Sequence, residues 1–142
     1  MSPRSPHPQA LLLLLVITAT TLLPWSQATP YSDFLERHMD NPKSDLQSDT
    51  TYCNLMMQRR HLNCQRGNAF IHASEQQLTS ICNSRGKILD GNQTSKTLFP
   101  ITICTRGKGL RRVFCRYKGK SKIKRIRVTC QKGFPVHYIS HA

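Results

Sequence analysis

Two histidines, His38 and His137, are the side chains of this sequence best suited to proton transfer. An imidazole gains and loses a proton near neutral pH, so it can act as a general base or a general acid. Two of them on opposite sides of a phosphodiester could carry out a transphosphorylation. One would take the proton of the 2′-hydroxyl and the other would protonate the leaving 5′-oxygen. The two histidines are far apart in the chain, and their spacing alone does not pair them.

Six cysteines could hold together a fold that brings distant residues into contact. In a short chain that follows the secretory route, an even number of cysteines indicates disulfides. No Cys-x-x-Cys pair is present, and the histidines do not have the spacing of zinc ligands. We therefore predict three disulfides, no metal and no cofactor. The sequence alone leaves open fifteen ways of pairing six cysteines.

The N-terminal segment predicts secretion. Residues 1–28 contain a basic residue, an apolar run that begins at Leu11–Ile17, and a cleavage-like Ser26-Gln27-Ala28, which together are typical of a signal peptide. The run is too short and too rich in threonine for a membrane anchor. We expect residues 29–142 to form one secreted, monomeric domain. Asn92-Gln93-Thr94 is an N-glycosylation sequon, which the secretory route makes meaningful.

A dense cationic segment dominates the C-terminal half. The chain of 142 residues has a formal net charge of +14, and Arg106–Arg127 contains eleven Lys or Arg and no acid. Arg112–Tyr117 and Arg125–Cys130 alternate as strands do, with a turn-like Lys118–Ser121 between them. These patterns predict a β-hairpin with one packed face and one cationic face. Such a face suits a polyanion, namely RNA, DNA or an anionic membrane, although a merely soluble basic surface is the alternative.

Helices are predicted before strands, which indicates an α+β fold. Helical spacing of apolar residues and capping side chains mark three helices. Their predicted spans are Tyr31–Asp40 capped by Ser32 or Asp33, a helix ending at Leu62 capped by Thr50 or Thr51, and a helix ending near Cys82 capped by Ser74 with Gln77. Outside the hairpin, the predicted strands are Ala69–His72, Thr97–Thr105 and Phe134–Tyr138, with a polar loop over Asn83–Thr94.

Four ordered motifs resemble the pancreatic ribonuclease superfamily, and the six cysteines resemble its angiogenin-like branch. The motifs are Phe34–Asp40, Tyr52–Arg60, Cys64–His72 and Pro135–Tyr138. The resemblance implies three short helices packed on a V-shaped antiparallel sheet. It implies the disulfides Cys53–Cys104, Cys64–Cys115 and Cys82–Cys130. It also implies metal-free RNA cleavage at pyrimidines, with His38 as the general base and His137 as the general acid.

The sequence departs from that family at several supporting positions. The lysine that stabilises the phosphate in the family is Gln65 here, and the base-reading threonine is Ala69. The residue before the first histidine is Arg37 rather than glutamine. The aspartate that orients the second histidine is replaced by Ile139, whereas Asn68 is retained. We take Arg37, Gln65, Arg66 and Asn68 as the substrate-binding candidates.

Two functions remain open at this stage. In the first, Arg37 or Arg66 supplies the missing cation and the protein cleaves RNA slowly. In the second, the site is vestigial and the charge carries the function. The protein would then be a cationic host-defence or angiogenin-like signalling protein that binds RNA, glycans or bacterial membranes.

Overall fold

Among the described residues, three α-helices form before residue 80, each starting at a side-chain cap. The computed structural model describes residues 27–111 and 114–142, so nearly all of the predicted signal peptide lies outside the described residues. Helices α1, α2 and α3 are Pro30–His38, Asp49–Arg59 and Glu75–Thr79, and a single 3₁₀ turn, Ser80–Cys82, follows α3. The predicted Ser74–Gln77 capping box is present at α3.

The predicted caps of α1 and α2 are wrong by a few residues. The cap of α1 is Thr29, whose hydroxyl accepts from the backbone N–H of Ser32 while the Ser32 hydroxyl accepts from the Thr29 N–H. Pro30 at the first helical position favours this earlier start, because its fixed φ already suits a helix. The cap of α2 is Ser48, which accepts from the N–H of Thr51.

In the described part of the chain, eight strands form antiparallel sheets. In chain order, β1 to β8 are Gly67–Ile71, Asn83–Ser84, Lys87–Ile88, Gly91–Thr94, Phe99–Arg111, Phe114–Lys124, Ile126–Gln131 and Phe134–His141. Two sheets have three strands each, in the orders β1-β5-β6 and β4-β7-β8, and β2 pairs with β3. The predicted α+β class is confirmed.

The predicted cationic hairpin is wrong. Arg112 and Val113, the start of its first strand, lie outside the described residues. Strand β6 runs straight through the expected turn at Lys118–Ser121 and pairs with β5, whereas β7 belongs to the other sheet. Gly119 explains the error, because a Cβ there would collide with the Asp49 carbonyl and lie 2.8 Å from Cys53 Sγ. The glycine lets α2 approach the strand closely and does not mark a turn.

The predicted polar loop at Asn83–Thr94 is also structured. Its last four residues form β4, which pairs with β7, and its earlier part forms the short β2–β3 ribbon. A strand at the edge of an antiparallel sheet can expose one face to solvent and carry polar side chains there. Its composition then resembles that of a loop, which is why the sequence alone suggested a loop.

Three disulfides connect the helices to the sheets. Their pairing is Cys53–Cys104, Cys64–Cys115 and Cys82–Cys130, as the resemblance implied. The first two link α2 and the segment after it to β5 and β6. The third links the 3₁₀ turn to β7. No helix among the described residues is long and apolar enough to cross a bilayer.

Two apolar clusters form the core. One joins α1 and α3 to the ends of β1, β5 and β7, and the other joins α2 to β1, β5 and β6. The largest fully buried side chains include Phe34 and Leu78 in the first cluster and Tyr52, Phe70 and Tyr117 in the second. The chain thereby fixes α1 against β1 and β8, the three elements that carry the candidate site.

Candidate active site

A cleft of about 870 Å³ lies between α1, β1, β5 and β8. Both predicted catalytic histidines, His38 and His137, line it, although they come from opposite ends of the chain. His38 is the last residue of α1, and His137 projects from β8. The fold therefore brings together the two imidazoles that the sequence could not pair.

A backbone carbonyl fixes the tautomer of His38. The His38 Nδ1 lies 2.9 Å from the carbonyl oxygen of Ala69 in β1. A carbonyl oxygen can only accept, so Nδ1 carries the proton and donates it. In the neutral ring Nε2 then has a free lone pair. The ring also packs between aromatic side chains, with centroids 5.0 Å from Phe34 and 5.4 Å from Tyr138.

The surroundings of His38 favour its neutral form. Burial lowers the pKa of His38 from its usual 6.5 to about 4, the Ala69 carbonyl opposes this shift, and the positive charges of Arg37 and His137 add to it. An imidazole with this pKa is unprotonated at neutral pH. It can therefore accept a proton without first losing one.

His137 lies on the exposed face of β8. It stands opposite Thr129 of β7. Among the described residues no side chain forms a hydrogen bond with its ring. Ile139 is 42% exposed. An aliphatic side chain at this position offers no carboxylate that could hold the imidazole in one tautomer.

The four substrate-binding candidates do not all reach the cleft. Arg37, Gln65 and Asn68 line it, whereas Arg66 does not. Asn68 donates its side-chain N–H to the Arg37 carbonyl at 2.7 Å, which ties β1 to the end of α1. Gln65 is exposed, and its backbone carbonyl accepts a hydrogen bond from the Tyr117 hydroxyl. The structure thus leaves Arg37 as the cleft-lining cation of the two considered.

Tyr138 and His141 are among the polar residues of the cleft that sequence reasoning missed, together with Asp33, Thr105 and Gln131. The predicted last strand stopped at Tyr138, but β8 continues to His141. Tyr138 stands opposite Val128 and His141 opposite Ile126, with a bulge at Ile139 between them, so both side chains project from the same face of the sheet. The Tyr138 oxygen and His141 Nδ1 are 2.8 Å apart. Burial raises the pKa of Tyr138 to about 12, so its hydroxyl stays protonated and available as a donor.

The part of the cleft formed by β1 and β5 is apolar. Ala69 is 4% exposed and Ile103, which is half-buried, lies directly opposite it across the β1–β5 pair. Both line the cleft, and neither side chain can form a hydrogen bond. This part of the cleft can therefore make apolar contacts with a ligand. Neither side chain could form a hydrogen bond to the edge of a nucleotide base.

Lysines of β6 flank the cleft. Lys120 stands opposite Ile103 and Lys122 opposite Ile101, so both project from the same face of the sheet as the Ile103 side chain. Both lysines are exposed. Burial lowers the pKa of His141, which lines the cleft, and the charges of Lys122 and Lys124 lower it further.

Other histidines have structural or surface positions. His72 donates from Nδ1 to the Asp40 carbonyl at 2.8 Å, and its Nε2 accepts from the Thr102 hydroxyl at 2.8 Å. It therefore joins the end of α1 to β5, as expected for a structural histidine. His61 is exposed, whereas His141 is half-buried and lines the cleft.

The chain is similar in sequence to known ribonucleases and angiogenins. A family model described as pancreatic ribonuclease matches residues 29–139. The ribonuclease of Chelonia mydas is 40% identical over 114 residues, which is 78% of this chain and 96% of that protein. The angiogenin of Equus caballus is 36% identical over 135 residues, which is 89% of this chain and 90% of that protein.

A solved structure extends the similarity to the fold. The crystal structure of green turtle egg white ribonuclease matches with a TM-score of 0.72 at 36% sequence identity, covering 81% of this chain and 100% of that one. The resemblance inferred from the four motifs is therefore confirmed. By sequence and by fold, this chain belongs to the pancreatic ribonuclease family.

Proposed function

We propose that this protein is a secreted cationic ribonuclease that binds RNA in the cleft and cleaves it slowly without a metal. One observation carries the proposal: His38 and His137 line the same cleft, and the Ala69 carbonyl holds His38 as the neutral tautomer with Nε2 free. RNA is the proposed substrate because a phosphodiester with a neighbouring 2′-hydroxyl is the group that such a pair can cleave.

The proposed reaction is a transphosphorylation. His38 Nε2 takes the proton of the 2′-hydroxyl, and the 2′-oxygen forms a bond to phosphorus. The bond from phosphorus to the 5′-oxygen breaks, and protonated His137 gives that oxygen its proton. The products are a 2′,3′-cyclic phosphate and a free 5′-hydroxyl. Tyr138 packs against His38 and limits the positions its ring can take.

The reaction should be slow because the developing charge on the phosphate has a poor partner. Gln65 can offer an amide N–H but no positive charge. Removing one donor aimed at such a charge commonly costs about 10²-fold or more in rate. Arg37 lines the cleft beside His38 and is the cation best placed to replace part of that stabilisation, while Asn68 holds the Arg37 backbone.

Cleavage of polyuridylate or tRNA by purified protein tests the proposal. We expect measurable wild-type activity, loss of at least about 10²-fold in His38→Ala and in His137→Ala, and a gain of similar size in Gln65→Lys. Gln65→Met, which has similar length but no donor, controls for packing and should show no gain. Equal residual activity in the wild type and both histidine variants would rule out the acid–base pair.

The cationic flank supports a second candidate function. Lys120 and Lys122 are exposed on β6, and the chain carries a net charge of +14. A surface of this kind attracts anionic membranes, glycans and nucleic acids regardless of cleavage. In this reading the protein is a host-defence or angiogenin-like signalling protein whose site is vestigial.

Bacterial killing separates the two functions. If charge alone acts, killing should be unchanged in His38→Ala and should fall when Lys120, Lys122 and Lys124 are replaced by Ser. Killing that persists after the lysines are removed would show that the electrostatic explanation is wrong. Killing that disappears in His38→Ala would instead favour cleavage as its cause.

Secretion is part of the proposal. Three disulfides are typical of proteins that fold in an oxidising compartment, and the family match begins at residue 29, next to the predicted cleavage site. N-terminal sequencing of protein secreted from cultured cells should read from residue 29. A mature protein that retains the apolar leader would contradict the prediction, and gel filtration would test the expected monomer.

A further inference from the structure

The sequon asparagine Asn92 lies on the same face of a sheet as His137. Asn92 stands opposite Thr129 in the β4–β7 pair, and Thr129 stands opposite His137 in the β7–β8 pair. Residues directly opposite one another project from the same face, and neighbouring strands are 4.7–4.9 Å apart. The backbones of Asn92 and His137 are therefore about 10 Å apart across two strand spacings.

Burial along β7 confirms which face this is. Val128 and Cys130 point into the core, whereas Thr129 and Gln131 alternate with them on the outer side. Gln131, the next outward residue after Thr129, lines the cleft itself. The outer face of β4–β7 therefore continues directly from the His137 side of the cleft.

The Asn92 side chain is well placed to carry a sugar. It is exposed and lies on β4, an edge strand whose other side is unpaired in the order β4-β7-β8. The Thr129 hydroxyl donates to Asn92 Oδ1 at 2.8 Å. This bond uses the amide oxygen and leaves Nδ2, the atom to which an N-linked glycan is attached.

We propose that an N-glycan on Asn92 covers the leaving-group side of the cleft and so limits how much RNA the protein can accept. The inference rests on the proposed function, in which His137 protonates the leaving 5′-oxygen. A chain continuing beyond that oxygen must cross the outer face of β7 and β4. A branched glycan rooted about 10 Å away is bulky enough to occupy that path. A nucleotide that ends at the phosphate does not extend along that path.

Binding measured in a His38→Ala background tests the inference without requiring cleavage. The protein is expressed in mammalian cells and collected from the medium, and peptide mass spectrometry measures the fraction of Asn92 that carries a glycan. Asn92→Gln and Thr94→Ala both destroy the sequon, whereas Thr94→Ser keeps it and serves as the matched control. Two sequon-destroying variants are needed because Thr94 Oγ1 also accepts a hydrogen bond from Arg127 at 2.9 Å.

The expected result depends on ligand length. The glycosylated parent and Thr94→Ser should bind oligouridylate about tenfold more weakly than Asn92→Gln and Thr94→Ala. All four should bind uridine 3′-phosphate equally. The parent chain made in bacteria, without glycan, should match the two sequon-destroying variants.

Three results would overturn the inference: an unmodified Asn92 in the secreted protein, equal oligouridylate binding by all forms, or no oligouridylate binding by any of them. If only the proposed catalysis is wrong, the cleavage assay would show it, because the wild type and the histidine variants would then cleave RNA equally. The two hypotheses can therefore fail separately.

Discussion

At the scale of single residues, the environment of His38 determines its role. The ring is held by one carbonyl, packed against Phe34 and Tyr138, and placed near two positive charges. Burial and the two charges lower the pKa of the ring and favour its neutral form. The carbonyl opposes that shift but keeps the proton on Nδ1, which leaves Nε2 free in the neutral ring. No comparable support surrounds His137, whose ring is exposed and lacks a hydrogen bond to any described side chain. The surrounding residues therefore orient the ring of His38 more closely than that of His137.

The pKa of His38 can be measured directly. We expect its ring resonances to titrate with a midpoint near pH 4, well below the usual 6.5. Arg37→Ala should raise the midpoint, because removing a nearby positive charge favours the protonated ring. NMR titration of the wild type and this variant provides the measurement. In a cleavage assay, the acidic limb of the kcat/KM profile should likewise fall near pH 4 and not near pH 6.5.

Two results would contradict this account. A wild-type midpoint at 6.5 would show that the ring is not desolvated. A midpoint that does not rise in Arg37→Ala would show that the guanidinium does not act on the imidazole.

Sequence motifs selected several residues that line the cleft, but they did not predict the environment of those residues. His38, His137, Gln65 and Asn68 follow from motifs, because a motif preserves both residue type and order. Arg66 was selected on adjacency to Gln65, yet it does not line the cleft. Gln65 and Arg66 lie in the loop before β1, where adjacent side chains need not face the same site.

At the scale of elements, Gly119 determines how α2 packs against β6. A Cβ at this position would meet the Asp49 carbonyl and Cys53 Sγ, so the helix could not come as close. Asp49 also accepts hydrogen bonds from the Ser121 N–H and hydroxyl, both at 2.9 Å. These bonds hold the first turn of the helix against the strand two residues beyond the close approach.

Gly119→Ala should destabilise the protein substantially. Inserting a methyl group where backbone cannot move commonly costs about 1–3 kcal/mol. Gly107→Ala is the matched control, because the nearest atom to its added Cβ would be the Arg116 carbonyl oxygen at an ordinary 3.6 Å. Chemical denaturation with the disulfides intact should show a lower free energy of unfolding for Gly119→Ala alone. Equal effects of the two substitutions would contradict the packing argument.

The same glycine shows what local sequence patterns can and cannot predict. Lys118–Ser121 has the composition of a turn, and turn composition was the basis for the predicted hairpin. Whether a glycine serves a turn or a close contact depends on what packs against it, here α2 from a distant part of the chain. Helices, whose caps and apolar spacing are local, were predicted with errors mainly at their ends.

At the scale of the whole molecule, charge and cleft act together. The net charge of +14 attracts any polyanion, and Lys120 and Lys122 of β6 lie on the sheet face that continues from the cleft. Lys120 and Lys122 are exposed there, beside Ile103. If RNA lies along this flank, these lysines contact its phosphates, and other lysines contribute only to the general field.

The salt dependence of RNA binding distinguishes local contacts from general attraction. Each phosphate contact to a single strand contributes about −0.7 to the slope of log K against log salt. Replacing Lys120 and Lys122 by Ser should therefore reduce the magnitude of that slope by about 1 to 1.5.

Replacing Lys87 and Lys96, which are exposed on the β2–β3 side of the molecule, changes the net charge equally and should change the slope far less. Titration of labelled oligouridylate against His38→Ala protein at several salt concentrations provides both values. Equal slopes in the two double variants would mean that net charge, and not the flank beside the cleft, holds the RNA.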